Sequence, residues 1–268
     1  MRILPPKFLA AMIAVRALPG SPRYDGDDER IVSQAIGDLE TYKVAGVDSV
    51  ILENDHDLPY IQPPICEEAM SVMARVAREG RKRFDKPIGI QILEAANESA
   101  LEIASRADLD YLRVEGYVFA HVGGAGIIQG SAGKLLRLRK TLGCEHIKVF
   151  ADVKKKHCAH ALTADLDVTD VIKQAELFMA DGIVITGQFT GVEPAGEDLE
   201  KAKTATRLPV VIGSGMTAEN IERYFPLTDG FIVGSTFRRN GQFLEELDTE
   251  RLGEFMKVFD QLRGASST

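Results

Sequence analysis

The sequence predicts a single (β/α)8 TIM barrel, and three observations predict it. Eight short apolar runs, many with β-branched centres, alternate with helical stretches, the order that calls for a parallel sheet covered by helices. A repeated unit ends a helix, places an acid and begins a strand: Ala45-Gly-Val-Asp-Ser-Val, Ala107-Asp-Leu-Asp-Tyr-Leu, Ala180-Asp-Gly-Ile-Val and Thr228-Asp-Gly-Phe-Ile, at strands 2, 4, 6 and 8. A module recurring at every second strand suits a closed barrel, whereas an open doubly wound sheet reverses its order at a switch point. Two glycine- and hydroxyl-bearing strand ends, Pro209-Val-Val-Ile-Gly-Ser-Gly215 and Asp229-Gly-Phe-Ile-Val-Gly-Ser-Thr236, fall where strands 7 and 8 must lie. The turns after those strands are the frequent phosphate-binding place of this fold. The length of 268 residues is near the roughly 250 of one such barrel, so 1–268 reads as one domain with its core from Pro6 to Arg263.

In chain order, Phe8-Leu-Ala-Ala-Met-Ile-Ala14 is strand 1, leaving through Arg16 and the turn residues Leu18-Pro-Gly-Ser-Pro22. Glu29 to Ala45 carries a helical apolar stripe closed by Gly46. Strand 2, Asp48 to Asn54, ends in the polar crowd Glu53, Asn54, Asp55 and His56. An amphipathic helix over Ile65 to Phe84 precedes strand 3, Pro87 to Leu93, which ends at Glu94. A short helix, Ser99 to Ala107, leads to strand 4, Asp110 to Glu115. Its exit, Gly116 to Gly133, is long and glycine-rich, the mark of a functional loop, often a lid. Lys134 to Leu142 is helical, and strand 5 is Ile147 to Val153, leaving through Lys154-Lys-Lys-His-Cys-Ala-His160. Then come a helix over Val168 to Ala180, strand 6 over Gly182 to Thr186, helices leading into strands 7 and 8 over Leu199 to Thr206 and Ala218 to Phe225, and a closing helix over Asp248 to Leu262.

The composition is that of an ordinary globular chain, 45% hydrophobic and 27% charged. With 32 basic against 40 acidic residues and a formal charge of -8, non-specific attraction to nucleic acid or an anionic membrane is not expected, while a small anionic ligand is compatible with a locally positive pocket. Three cysteines without a C-x-x-C pair indicate neither a disulfide framework nor a zinc ribbon. Apolar runs stop at about eight residues, short of a spanning helix, and the opening residues lack the regions of a signal peptide. A cytoplasmic protein without membrane insertion is the expectation, and a homo-oligomer is compatible with it.

The expected phosphate cradle is Gly213, Ser214, Gly215, Gly234, Ser235 and Thr236: glycine lets a ligand approach main-chain N–H groups, and the hydroxyls add donors. Catalytic groups in this fold come from several strand ends. Asp152, the lone acid of an otherwise apolar strand end, is a candidate for proton transfer, or else a structural partner of Lys154 or Lys156. His157 could exchange a proton at neutral pH, and the lysines beside it, Lys156 among them, could hold an anionic substrate. Glu53 and Arg113 each follow apolar strand residues; the arginine suits carboxylate or phosphate recognition, or equally a buried ion pair with Glu53 or Glu115. No metal-binding spacing, P-loop or dinucleotide fingerprint is present, so no metal and no cofactor are expected.

The segments Leu18-Pro-Gly-Ser-Pro-Arg-Tyr24, Val50-Ile-Leu-Glu-Asn54, Leu112-Arg-Val114, Ala151-Asp-Val153 with Lys156-His157, Ile185-Thr-Gly187, Gly213-Ser-Gly215 with Glu219-Asn220, and Asp229-Gly-Phe-Ile-Val-Gly234 resemble the BtpA family in order across nearly the whole chain. The resemblance implies a phosphate-binding βα barrel. It also carries the family's link to photosystem I biogenesis, although relatives occur in organisms without photosynthesis and some resemble components of sugar-metabolism gene clusters. Two loops depart from the family pattern, Glu94-Ala-Ala-Asn97 and Glu115-Gly-Tyr117. Residues and resemblance together support an enzyme acting on a small phosphorylated molecule, a sugar phosphate or nucleotide-like compound, by isomerase, lyase or glycosyl-transfer chemistry. The alternative is a non-catalytic assembly factor for membrane complexes.

Overall fold

The eight apolar runs form a closed parallel barrel in the computed structural model, which describes residues 4–187, 189 and 191–265. Its strands are β1 (Phe8–Ala14), β2 (Ser49–Glu53), β3 (Ile88–Gln91), β4 (Tyr111–Val114), β5 (Lys148–Val153), β6 (Gly182–Ile185), β7 (Val210–Ile212) and β8 (Gly230–Val233). Each pairs in parallel with its sequence neighbours, and β1 closes the ring by pairing β8, Phe8 opposite Gly230 and Ala11 opposite Val233. The helices α1 (Asp28–Ala45), α2 (Glu67–Arg83), α3 (Asn97–Ala107), α4 (Ala132–Thr141), α5 (Val168–Leu177), α6 (Gly196–Ala205), α7 (Ile221–Tyr224) and α8 (Thr249–Ala265) each follow a strand and cover the sheet outside. With both faces covered, strands must be apolar throughout, which is why they read as runs rather than as alternating patterns.

Alternation nevertheless decides what lies inside the ring. Phe8, Ala10, Met12, Tyr111, Phe150, Val184, Val211 and Ile232 belong to an inner core, distinct from the larger cluster between strands and helices. The rings of Phe8, Tyr111 and Phe150 meet edge to face, 5.6 and 6.4 Å apart. Space for them comes from three glycines: a Cβ on Gly89, Gly182 or Gly230 would lie 2.2–2.4 Å from Tyr111, Phe150 or Phe8 respectively. These rings fill the lower barrel, so open space is left only toward the carboxyl ends of the strands.

The repeated acid holds the bottom. Asp48, Asp110, Asp181 and Asp229 accept hydrogen bonds from Leu9, Ile88, Val149 and Val210, each at the start of the preceding odd-numbered strand, at 2.8–3.0 Å. Each acid also meets a cation: Arg263, Arg81, Arg139 with Lys148, and Lys203.

Helix limits follow local chemistry. α1 begins where Asp27 accepts from the Arg30 N–H at 3.0 Å and ends at Gly46, φ 86°; α5 opens with a reciprocal capping box of Asp167 and Asp170. The expected continuation of α5 to Ala180 fails because Met179 turns left-handed, φ 62°. The helix expected over Ala218 to Phe225 shrinks to one α turn, with Pro226 in the 3-10 turn that follows. The long segment after β4 is a β hairpin, His121–Gly123 antiparallel to Gly126–Ile128. Val122 exchanges two backbone hydrogen bonds with Ala159, at 3.1 and 2.8 Å, which ties the hairpin to the exit of β5.

Candidate active site

Above the aromatic plug, the carboxyl ends of the strands enclose a cavity of about 350 Å³. One wall is the pair of turns after β7 and β8, Gly213 to Met216 and Gly234 to Thr236; the opposite wall carries Glu53, Asp55, Gln91, Glu94, Arg113 and Glu115 with Lys155 and Lys156. Phe189, Phe243, Leu58 and Tyr60 add apolar surface. Inward alternation brings the polar groups there: Glu53 and Gln91 are register partners at the ends of β2 and β3, and Arg113 stands two residues above Tyr111 on β4.

Arg113 organises the acids. Its Nε and Nη2 donate to the two carboxylate oxygens of Asp152, at 3.0 and 3.1 Å, and Nη1 donates to Glu53 Oε1 at 3.1 Å. The Asp152 side chain is wholly buried and lies behind the arginine rather than on the cavity wall. The sequence-level pairing of Asp152 with Lys154 or Lys156 is replaced by this fork; Lys154 donates instead to the Leu166 carbonyl. Beside it is a second network, in which Lys155 donates to Glu94 Oε1 at 2.6 Å and meets Glu115 Oε1 at 3.0 Å. Glu94 Oε2 accepts from the Ala125 N–H at 2.9 Å, so the same carboxylate fixes the hairpin to the rim.

Burial sets the protonation of these groups. It pushes the Glu53 carboxyl up to about 7 against the opposing pull of Arg113, and Glu115 up to about 7 against Lys155. Asp55 is raised by burial as well. Burial opposes the charge on Lys155, yet Glu115 and Glu94 hold its pKa above the ordinary lysine value. Lys156 goes the other way: burial and the Arg113 charge lower it. His157 is exposed at the rim, lowered by partial burial and by Lys156, and its ring lies 5.4 Å from that of Phe189.

The structure thus brings together Glu53, Arg113, Lys156 and His157 with the cradle, and sets Asp152 one layer back. Of the polar crowd after β2, Asp55 faces the cavity, whereas Asn54 is a clamp, exchanging hydrogen bonds with the Leu93 backbone at 2.7 and 3.2 Å. Lys155 could not be told from its neighbouring lysines in sequence, because left-handed residues at Lys154, φ 47°, and His157, φ 59°, break the strand's alternation. Gln91 is 2% exposed, and neither atom of its amide has a hydrogen-bond partner among the described residues. No group of three or more His, Cys, Asp or Glu able to hold a metal ion occurs among them.

The cradle differs in its physical cause from the expectation. A Cβ on Gly215, φ 78°, would lie 2.3 Å from the Glu193 nitrogen, and one on Gly234 would lie 2.3 Å from Met12 Cε. Gly215 is thus required by the protein's own backbone packing, whereas the atom nearest Gly234 is the flexible end of Met12. The Thr236 hydroxyl donates to the Met216 carbonyl at 2.6 Å, stitching the two turns together, so its hydrogen is not offered to a ligand. The hydroxyls of Ser214 and Ser235 line the cavity without a partner among the described residues.

The model described as the BtpA family matches residues 6–261. An uncharacterized mitochondrial protein of Caenorhabditis elegans is 40% identical over 257 residues, covering 94% of this chain and 92% of its own. The photosystem I biogenesis protein BtpA of Synechocystis sp. is 33% identical over 244 residues, covering 90% of this chain and 84% of its own. Among solved structures, phosphoribosyl anthranilate isomerase from Thermus thermophilus aligns over 96% of this chain and 100% of that one, with a TM-score of 0.59 at 11% identity, a likeness of fold. No described helix is long and apolar enough to cross a membrane.

Proposed function

The chain belongs to the BtpA family, and from the rim geometry we propose that it is an enzyme acting on a small phosphorylated metabolite, a sugar phosphate or a nucleotide-like compound. The phosphoryl group sits against the turns after β7 and β8, held by N–H groups of Gly215, Gly234 and Ser235 and by the hydroxyls of Ser214 and Ser235. The remainder of the substrate crosses the barrel mouth to Gln91 and Glu53. The likeness of fold to phosphoribosyl anthranilate isomerase, whose name states a phosphorylated substrate, supports this reading.

The observation that carries it is Gln91. A buried amide with both ends unpaired loses the hydrogen bonds it had in water, at a cost of roughly 1–3 kcal/mol for each such group. Polar groups of a substrate in the cavity would restore them. Around that amide, Glu53 is poised to gain or lose a proton near neutrality, and Arg113, fixed in orientation by Asp152, offsets negative charge developing on the substrate. Proton transfer of this kind serves isomerisation, lyase and glycosyl-transfer chemistry alike.

Calorimetry with pairs of phosphorylated and dephosphorylated sugars and nucleosides tests the reading. Binding is expected of the phosphorylated member only, and Ser235→Asp, which adds a negative charge at a half-buried position of the cradle, is expected to remove it. Equal binding of both members, or an unaffected variant, overturns the phosphate assignment.

A further inference from the structure

The exit of β5 carries three consecutive lysines, and the fold gives each a different fate. Lys154 is exposed and donates to the Leu166 carbonyl at 2.7 Å. Lys155 is buried between Glu94 and Glu115. Lys156 is half-buried on the cavity wall, and its ammonium nitrogen has neither a hydrogen bond nor an ion pair among the described residues. Its backbone is anchored, the N–H donating to Thr186 Oγ1 at 3.1 Å, so the side chain leaves a fixed point. Among the facing acids Asp55 acts on Lys156 most strongly, yet no ion pair closes between them; Glu53 and Asp152, whose influence is smaller, are already engaged by Arg113. A lysine kept for charge alone would gain by closing on a carboxylate, as Lys155 does.

We propose that Lys156 is the amine of a Schiff-base site, condensing with the aldehyde or ketone carbonyl of a small phosphorylated substrate. The inference rests on the phosphorylated-substrate reading above and narrows it to carbonyl compounds. Burial and the Arg113 charge lower the Lys156 pKa, which enlarges the neutral, nucleophilic fraction of the amine. The Nζ lone pair forms the C–N bond, and the carbonyl oxygen takes up a proton lost by the nitrogen, giving a carbinolamine. The protonated Glu53 carboxyl then gives its proton to that hydroxyl, which leaves as water, and the remaining N–H stays on a positively charged iminium. The iminium draws in the electron pair of an adjacent C–H bond, and the Glu53 carboxylate just formed accepts the released proton. Glu53 therefore ends as it began, and no oxidant, reductant or metal is needed. The product of these steps is an enamine, the branch point for isomerisation or carbon–carbon bond chemistry.

Borohydride trapping tests the site in the intact chain. The protein is incubated separately with glyceraldehyde 3-phosphate, dihydroxyacetone phosphate and ribose 5-phosphate, treated with sodium borohydride, digested, and mapped by mass spectrometry. Borohydride reduces an iminium to a stable secondary amine. With at least one of these probes, labelling of Lys156 is expected to exceed that of exposed Lys154 by at least about tenfold. Lys156→Arg should lose the label and retain binding of the same phosphates by calorimetry. Label spread over exposed lysines, or absent, while calorimetry detects binding would overturn the Schiff base and leave the phosphorylated-substrate reading standing. Neither label nor binding with any of the three would overturn the Schiff base and, with it, the sugar-phosphate form of that reading. The wild-type map decides the matter even if Lys156→Arg does not fold.

Discussion

At the scale of the residue, Glu53 and Asp152 share one arginine but have different duties. Glu53 lines the cavity and carries a proton near neutrality; Asp152 is enclosed and grips two nitrogens of the guanidinium. Glu53→Gln is expected to lower turnover by about 10²–10⁴-fold with little change in substrate affinity, read from kcat and KM once a substrate is in hand. Its stability has a defined sign as well. The folded pKa of about 7 lies above the unfolded value of 4.5, so Glu53 contributes stability fully present below pH 4.5 that is lost as pH rises toward 7. Thermal melts of Glu53→Gln, which cannot ionise there, should therefore improve relative to wild type across that window, by an amount on the order of 3 kcal/mol at most. An unchanged difference between pH 4.5 and 8 would mean that Glu53 is not protonated in the native state. Asp152→Asn leaves a buried guanidinium short of its counter-charge, and a loss of about 3–5 kcal/mol is expected, measured by urea unfolding. An Asp152 variant that keeps full stability while losing turnover would return that carboxylate to the reacting atoms. Sequence alone named both acids, because each interrupts an apolar strand end. It did not separate them, since their division of labour depends on where Arg113 leans across β3.

At the scale of the element, the turns after β7 and β8 and the hairpin after β4 form the rim. The turns were legible because small residues at the end of a β-branched run mark a strand that stops against a ligand or a tight loop. The reason for the glycines was not legible, since the atoms crowding Gly215 come from Val192 and Glu193, about twenty residues away in sequence. Gly215→Val, with φ at 78° and no room for Cβ, is accordingly expected to destabilise the fold rather than report on ligand binding. Ser235→Asp should keep the melting temperature while weakening phosphate binding by at least about tenfold. Equal melting temperatures for these two variants would contradict the packing described for Gly215. The hairpin, read from sequence only as a glycine-rich loop, owes its order to partners that no local pattern announces, Glu94 and Ala159. Glu94→Ala removes the acceptor of the Ala125 N–H, so faster hydrogen exchange is expected over His121–Ile128 than elsewhere on the rim. Uniform exchange in wild type and variant would mean that Glu94 does not hold the hairpin.

At the scale of the whole molecule, the barrel divides its charged residues by face. The bottom repeats one device four times: an acid ahead of an even-numbered strand accepts the first N–H groups of the odd-numbered strand before it and meets a cation. The repeat could be read from sequence because it recurs at fixed places relative to helix ends. The upper networks are each made once, one from β2, β4 and β5 and the other from the exits of β3, β4 and β5, and no periodicity could reveal their pairing. This division leads to a prediction about function at a distance. Asp110→Asn weakens the Arg81 pair and the acceptor for the Ile88 N–H, both nearly buried, at a cost of about 1–3 kcal/mol. For a chain of this size that corresponds to roughly 2–4 °C of melting temperature per kcal/mol. The aromatic plug of Phe8, Tyr111 and Phe150 stands between Asp110 and the cavity, so ligand affinity measured well below the melting temperature should match wild type. Ser235→Asp should give the reverse pattern, and both variants can be measured by one thermal-shift titration with a phosphorylated ligand, which at a hundred times its Kd adds about 2.7 kcal/mol to a binding-competent protein. If Asp110→Asn lost that increment as well, the plug would not insulate the two faces, and the top of the barrel would depend on strand register set at its base.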